Sequence, residues 1–158
     1  MAAQGRQGAP QTAVNITPQP WRWDRPRVLV EHPDEAASLT IASGLRYAGY
    51  AVAICSGPLD VGQCPLCGSD GCATAHDADL VVSCLGFERE AAREVMRALR
   101  TRCPDVPLLI EAPPGTDSDL RDLFAGCHVL PAPATPEQVV AAVQEVLGKR
   151  TEEGPGVA

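Results

Sequence analysis

The sequence predicts an α/β domain, a doubly wound five-stranded parallel sheet with helices on both faces. Three observations carry that expectation. Short apolar runs alternate with amphipathic stretches from Arg27 to Gly148. Helix caps and glycine stops separate them. At 158 residues the chain is long enough for one domain with a substantial core.

The elements follow in order. Residues 1–20 are rich in Gln, Ala, Gly and Pro without apolar periodicity and are expected to form a disordered tail. Trp21 and Trp23, bracketing Arg22, are expected to pack that tail onto the domain edge, with an exposed aromatic anchor for a partner as the alternative. The domain proper spans 21–150, and 151–158 form a second disordered tail. Arg27 to Val30 is a short apolar strand. Asp34 caps a helix over 35–48 that turns Ala37, Ile41 and Leu45 to one face and stops at Gly49. Tyr50 to Cys55 is the second strand and Asp79 to Cys84 the third. The stretch 88–102 is amphipathic, with Ala92, Val95, Met96 and Leu99 facing inward. Val106 to Ala112 is the fourth strand, Asp119 to Ala125 a short helix, and His128 to Leu130 the fifth strand. Thr135-Pro136-Glu137-Gln138 combines a cap, a first-turn proline and a capping-box glutamine. It starts a last helix that buries Val139, Val143, Val146 and Leu147 and is expected to end at Gly148.

One crossover is anomalous. Residues 56–78, between the second and third strands, hold four glycines, two prolines and no helical stripe. Parallel strands need a crossover there, usually a helix, and a long structureless loop is unusual in a compact domain. The same segment carries Cys64-Pro65-Leu66-Cys67-Gly68-Ser69-Asp70-Gly71-Cys72, followed by His76. Three thiols in a Pro/Gly-rich turn with an imidazole one helical turn later form most of a tetrahedral metal site. The spacing C-x2-C-x4-C-x3-H is similar to a zinc knuckle with its last two ligand types exchanged. Cys64, Cys67 and Cys72 are the core of the candidate site. Its fourth ligand is either His76 or Cys55, at the carboxyl end of the second strand. Zinc fits the histidine-containing set, and an iron–sulfur cluster becomes possible with four thiolates. Such a metal would organise a loop that stands in for the second helix.

Composition limits the function further. A formal net charge of −7 argues against direct nucleic-acid binding. No signal-peptide pattern and no bilayer-length apolar run is present, so no membrane association and a cytoplasmic location are expected. Seven cysteines cannot all pair internally, and clustered thiols in that compartment are more often ligands or redox groups than disulfides. Cys103 and Cys127 are expected to be small packing residues at the amino-terminal edge of the sheet, and His128 a local hydrogen-bonding group. No phosphate loop, catalytic triad or carboxylate pair stands out.

The order of elements and several local strings resemble the receiver domain of bacterial response regulators. The strings are Arg27-Val28-Leu29-Val30 before an acidic residue, Ala48-Gly49-Tyr50-Ala51-Val52, Ala78-Asp79-Leu80-Val81-Val82, Val106-Pro107-Leu108-Leu109-Ile110 and Pro133-Ala134-Thr135-Pro136-Glu137. The resemblance implies strand order 2-1-3-4-5 with the site at the carboxyl ends of the strands. It also implies that the parts for aspartyl phosphorylation are missing. Glu31-His32 stand where an acidic pair would hold Mg²⁺, Cys84 at the phospho-acceptor, Glu111 at the hydroxyl residue, and Ala132 at the lysine. The expectation is a pseudo-receiver rather than an enzyme. It would act as a phosphorylation-independent regulatory or protein-interaction module through another regulatory protein, with a homodimer possible. The alternative is a redox or metal sensor built on the cysteines. A thiol switch at Cys84, activated by His32, is disfavoured because acidic neighbours raise a thiol pKa.

Overall fold

The computed structural model describes residues 16–17, 21–22, 24–115 and 118–152. In chain order the elements are β1 (Ile16–Thr17), β2 (Arg27–Glu31), α1 (Glu35–Tyr47), β3 (Ala51–Cys55), a 3-10 turn (Pro65–Cys67), α2 (Ala73–His76), β4 (Leu80–Ser83), α3 (Glu90–Arg102), β5 (Leu108–Ala112), α4 (Ser118–Leu123), β6 (His128–Pro131) and α5 (Pro136–Glu152). They build one sheet in the order β1-β3-β2-β4-β5-β6. The last five strands of that order are parallel throughout. Numbered among themselves they run 2-1-3-4-5, the order expected from the sequence.

The sixth strand was not expected. Ile16–Thr17, inside the segment read as a disordered tail, pair antiparallel with β3 opposite Cys55 and Ile54. Without them β3 would be an open edge, whose free backbone groups attract a further strand. The remainder of 1–20, and Trp23, lie outside the described residues. Trp21 packs against the core as expected.

Period-two alternation divides the strand side chains between two apolar layers. Val28, Val30, Val52, Leu80, Val82 and Leu109 face Ile41 and Leu45 of α1 and Val139, Val143 and Val146 of α5. Leu29, Ala53, Val81 and Ile110 face Val95, Met96 and Leu99 of α3, together with the crossover. The caps read from the sequence are made. The Ala37 amide donates to Asp34 Oδ1 at 2.7 Å. At α5 the Thr135 amide donates to Gln138 Oε1 at 2.8 Å and the Gln138 amide to Thr135 Oγ1 at 3.3 Å, a reciprocal capping box. Gly148 does not stop α5, which runs on to Glu152. One glycine costs a helix about 1 kcal/mol; beyond it Lys149 pairs with Glu145 at 2.6 Å and Arg150 donates to the Asp79 carbonyl at 3.3 Å. At the amino-terminal ends of β2 and β4, Asp79 accepts from the Arg27 amide at 2.8 Å and from its Nε and Nη2 at 2.9 and 3.0 Å.

The crossover is the second departure. It has more structure than a loop held only by ligands, and it has apolar anchors of its own. The 3-10 turn inserts Leu66, 1 % exposed, against α3, and α2 buries Ala75. Isolated apolar residues at irregular spacing make no periodic signal, so these anchors were invisible as a stripe. Side chains flanking and within α3 hold the segment from outside. Arg89 donates to the carbonyls of Pro58 and Leu59, Glu94 accepts from the Gly62 amide at 2.7 Å, and Arg102 donates to the Gly68 carbonyl.

Leu66 is therefore the pin of the crossover. Leu66→Ala should destabilise the domain by about 3 kcal/mol, the usual cost of emptying a leucine site, and should loosen 56–78 first. Denaturant unfolding together with amide exchange checks both effects.

Candidate functional site

Parallel β2, β4 and β5 end side by side, and their carboxyl ends bring the chemistry together. Glu31 closes β2 opposite Cys55 of β3 on one side and Ser83 of β4 on the other. One residue on, Cys84 leaves β4, with its amide donating to the Glu31 carbonyl at 2.8 Å. Glu111 lies near the end of β5, and Ala132 follows β6, its amide bound to the Ala112 carbonyl at 2.9 Å. The fold thus places the five positions implied by the resemblance at one edge of the sheet.

Their side chains form a neutral thiol, carboxyl groups, an imidazole and a methyl group. The Cys84 thiol is hydrogen-bonded to Glu111. Burial, reinforced by the Glu111 and Glu31 carboxylates, pushes its pKa far up, so it stays a neutral thiol. Glu111 Oε1 also accepts from the Ala134 amide at 3.3 Å. A phosphoryl group would meet a carboxylate there. Ala132 offers only a methyl group where a cation would be needed. His32 does not serve Cys84: its Nδ1 accepts from the Asp34 amide at 2.9 Å, and its own amide donates to the Cys55 carbonyl. The imidazole thus helps shape the entry to α1.

Glu31 is the unusual member. Its side chain is 5 % exposed, and its Oε2 has no hydrogen-bond partner, nor has the neighbouring Ser83 Oγ. Burial lifts its pKa to about 7, with the nearby Ser83 hydroxyl acting weakly in the other direction. A buried unpaired carboxylate is costly, so the group is held close to neutrality.

The cysteines of the crossover fall into two sets. Cys55, Cys64 and Cys72 line a small closed cavity of about 10 Å³ with Glu31, floored by Leu29, Leu66 and Ala75. Cys55 Sγ accepts from the Gly57 amide at 3.4 Å. Gly57 is required for that turn: its φ is +75°, and a Cβ there would lie 2.5 Å from Leu85 Cδ2. The Cys67 amide donates to the Cys64 carbonyl at 2.9 Å and closes the 3-10 turn. Burial raises the Cys55 thiol to about 12, with Glu31 adding to it, and raises Cys64 by the same two causes. Cys67, half-buried, is hydrogen-bonded to the Cys64 thiol and lies near Glu94 and Arg102. Burial and then the Cys64 thiol lift it to about 12.

His76, the first sequence choice for fourth ligand, is engaged elsewhere. Its Nδ1 lies 3.5 Å from Cys103 Sγ at the end of α3. Cys103 was read as a packing residue alone, and it is buried as expected, but it also meets this imidazole. No sequence signal joins two residues 27 positions apart in different elements. Cys55, the other choice, does share a cavity with Cys64 and Cys72. Among the described residues, no three Cys, His, Asp or Glu side chains are gathered closely enough to hold a metal ion as they stand. No helix among them is long and apolar enough to cross a membrane.

This sheet, its order and its covering helices define the fold of response-regulator receiver domains. Among solved structures, the chain is similar to a response regulator receiver domain protein from Methanospirillum hungatei, with a TM-score of 0.59 and 18% identity over 82% of this chain and 99% of that one. It is similar to the receiver domain of Francisella response regulator 1452, with a TM-score of 0.59 and 19% identity over 80% and 98%. A third is a putative pilus assembly protein from Burkholderia thailandensis, with a TM-score of 0.58 and 17% identity over 78% and 98%. No family model and no curated protein matches the chain.

Glu31 makes metal-free stability depend on pH. Its folded pKa of about 7 lies above the ordinary 4.5, so its contribution is fully present below pH 4.5 and is lost as pH rises through 7. The loss is about 3 kcal/mol. Cys55, Cys64, Cys84 and Cys103, the titratable groups that feel this carboxyl, remain neutral thiols in that window. In chelated protein, Glu31→Gln should gain on the parent as pH goes from 4.5 to 8. Urea unfolding at a series of pH values measures the difference.

Proposed function

We propose that this chain is a phosphorylation-independent regulatory module of receiver fold, which acts by binding another regulatory protein. The observation that carries the reading is Cys84, a buried neutral thiol hydrogen-bonded to a carboxylate where the fold would present a phospho-acceptor. Acyl-phosphate chemistry needs a carboxylate nucleophile, a hard cation bound by oxygens, and a cation to receive the phosphoryl oxygens. Glu111 and Ala132 supply neither the charge nor the donors. The reading is accordingly not enzymatic. By analogy of fold, the docking face is α5 with the ends of β5 and β6. Val129 of β6, 53 % exposed, leaves apolar surface for a partner there.

In the same reading, a zinc ion bound among the thiols of the Cys-rich crossover fixes 56–78 on the sheet. What supports it is the meeting of Cys55, Cys64 and Cys72 on one cavity with Glu31, and the Gly57 amide that donates to Cys55 Sγ at 3.4 Å. The thiols with resolved shifts are all raised, which slows attack on oxidants and counts against redox sensing.

Incubation with acetyl phosphate and Mg²⁺ tests the phosphorylation claim. No phosphoryl group should be found by intact-protein mass spectrometry, and the amide spectrum should not change. Stable phosphorylation at any residue of the Cys84 pocket would refute the proposal.

A further inference from the structure

Glu31 and the crossover cysteines were separate matters in the sequence, one a remnant of a phosphorylation pocket and the others a loop motif. The fold puts them around one cavity. Glu31 and Cys55 are partners in register on adjacent strands, so the sheet itself sets their separation. Cys64, beginning the 3-10 turn, and Cys72, before α2, come down over them. The cavity between them is about 10 Å³, the lower limit for one water molecule and ample for a bare ion.

Two further features point to a ligand. Oε2 of Glu31 is buried without any partner, an arrangement that folded proteins rarely tolerate unless a water or an ion completes it. Cys55 Sγ already has an amide donor, Gly57 at 3.4 Å, of the kind that supports a ligating sulfur.

We propose that Glu31, Cys55, Cys64 and Cys72 form a tetrahedral Zn²⁺ site with three sulfur donors and one carboxylate oxygen. It deepens the zinc reading given above and rests on it, but assigns the ligands across the sheet and the crossover rather than within the loop. The donor set is that of a soft or borderline divalent ion: thiolates exclude Mg²⁺ and Ca²⁺, and one carboxylate oxygen among sulfurs suits zinc. Binding displaces the three thiol protons, together with the proton of Glu31 when it is protonated. It also draws Cys64 and Cys72 inward on short connections. The ion then supplies the missing partner of Oε2 and pins the crossover to the carboxyl ends of β2 and β3. His76 and Cys103, paired with each other, take no part.

The full chain, reduced and chelated, is titrated with Zn²⁺ against a chromophoric chelator and separately with Co²⁺. The expected result is one equivalent of Zn²⁺ and a tetrahedral Co²⁺ spectrum with the charge-transfer intensity of three Co–S bonds. Glu31→Gln should weaken Zn²⁺ binding about 100-fold, at least the loss seen for groups that only support a ligand, while keeping the sulfur bands. Cys55→Ser should lose about one third of the charge-transfer intensity, in line with one of three thiolate ligands. His76→Ala and Cys103→Ser should bind as the parent does. Glutamine keeps the shape of Glu31 and removes the buried charge, and melting of the metal-free variant verifies its fold. Absence of Zn²⁺ binding overturns both this site and the zinc part of the proposed function. One equivalent bound with a four-sulfur spectrum, sensitive to Cys67→Ser and indifferent to Glu31→Gln, overturns this site alone. Neither result bears on phosphorylation, which acetyl phosphate tests separately.

Discussion

A parallel sheet obliges the chain to return from the carboxyl end of one strand to the amino end of the next, and the rest of this structure follows from how β3 reaches β4. A helix would satisfy its own backbone on the way and offer a continuous apolar stripe. Residues 56–78 do neither. They return in steps, through the turn at Gly57, the 3-10 turn over Leu66 and the single turn of α2, with Arg89, Glu94 and Arg102 from the α3 side holding the outside. The direct effect is that the surface facing β2 and β3 is made of thiols and small apolar groups, where a helix would present larger side chains.

That substitution alters the electrostatics of the sheet's carboxyl edge. Glu31 ends a strand between two neighbours and is covered by the crossover, so its carboxyl loses water on every side. Ser83 is too poorly placed to replace it. The thiols around it are lifted in turn, first by burial and then by this acidic neighbour. Cys84 meets the same conditions from Glu111. The edge thus sets neutral thiols beside carboxyl groups.

Much of the fold was legible because its signals are local. The Asp34 cap, the Thr135–Gln138 box and the apolar faces of α1, α3 and α5 depend on residues within a few positions of one another, and all are present. The edge strand at Ile16–Thr17 and the continuation of α5 through Gly148 were not legible: the first pairs with a distant strand, and beyond Gly148 Arg150 reaches the distant Asp79 carbonyl. The site divides in the same way. The cysteine spacing named Cys64, Cys67 and Cys72, but the direction of each sulfur depends on the turn that carries it. Cys64 and Cys72 line a cavity with Glu31 and Cys55, while Cys67 meets Cys64 and lies near Glu94 of α3.

The sequence by itself determined the class of fold, the strand order implied by its resemblance, the residue identities at the carboxyl ends of the strands and the presence of a thiol-rich crossover. Those follow from residue identity and short-range pattern. The tertiary structure decided which groups meet. It paired His76 with Cys103 and set Glu31 beside Cys55, Cys64 and Cys72. Strand register and burial produce both outcomes. Register fixes the neighbour of a side chain on another strand, burial fixes whether it is charged, and neither quantity exists until the sheet has formed.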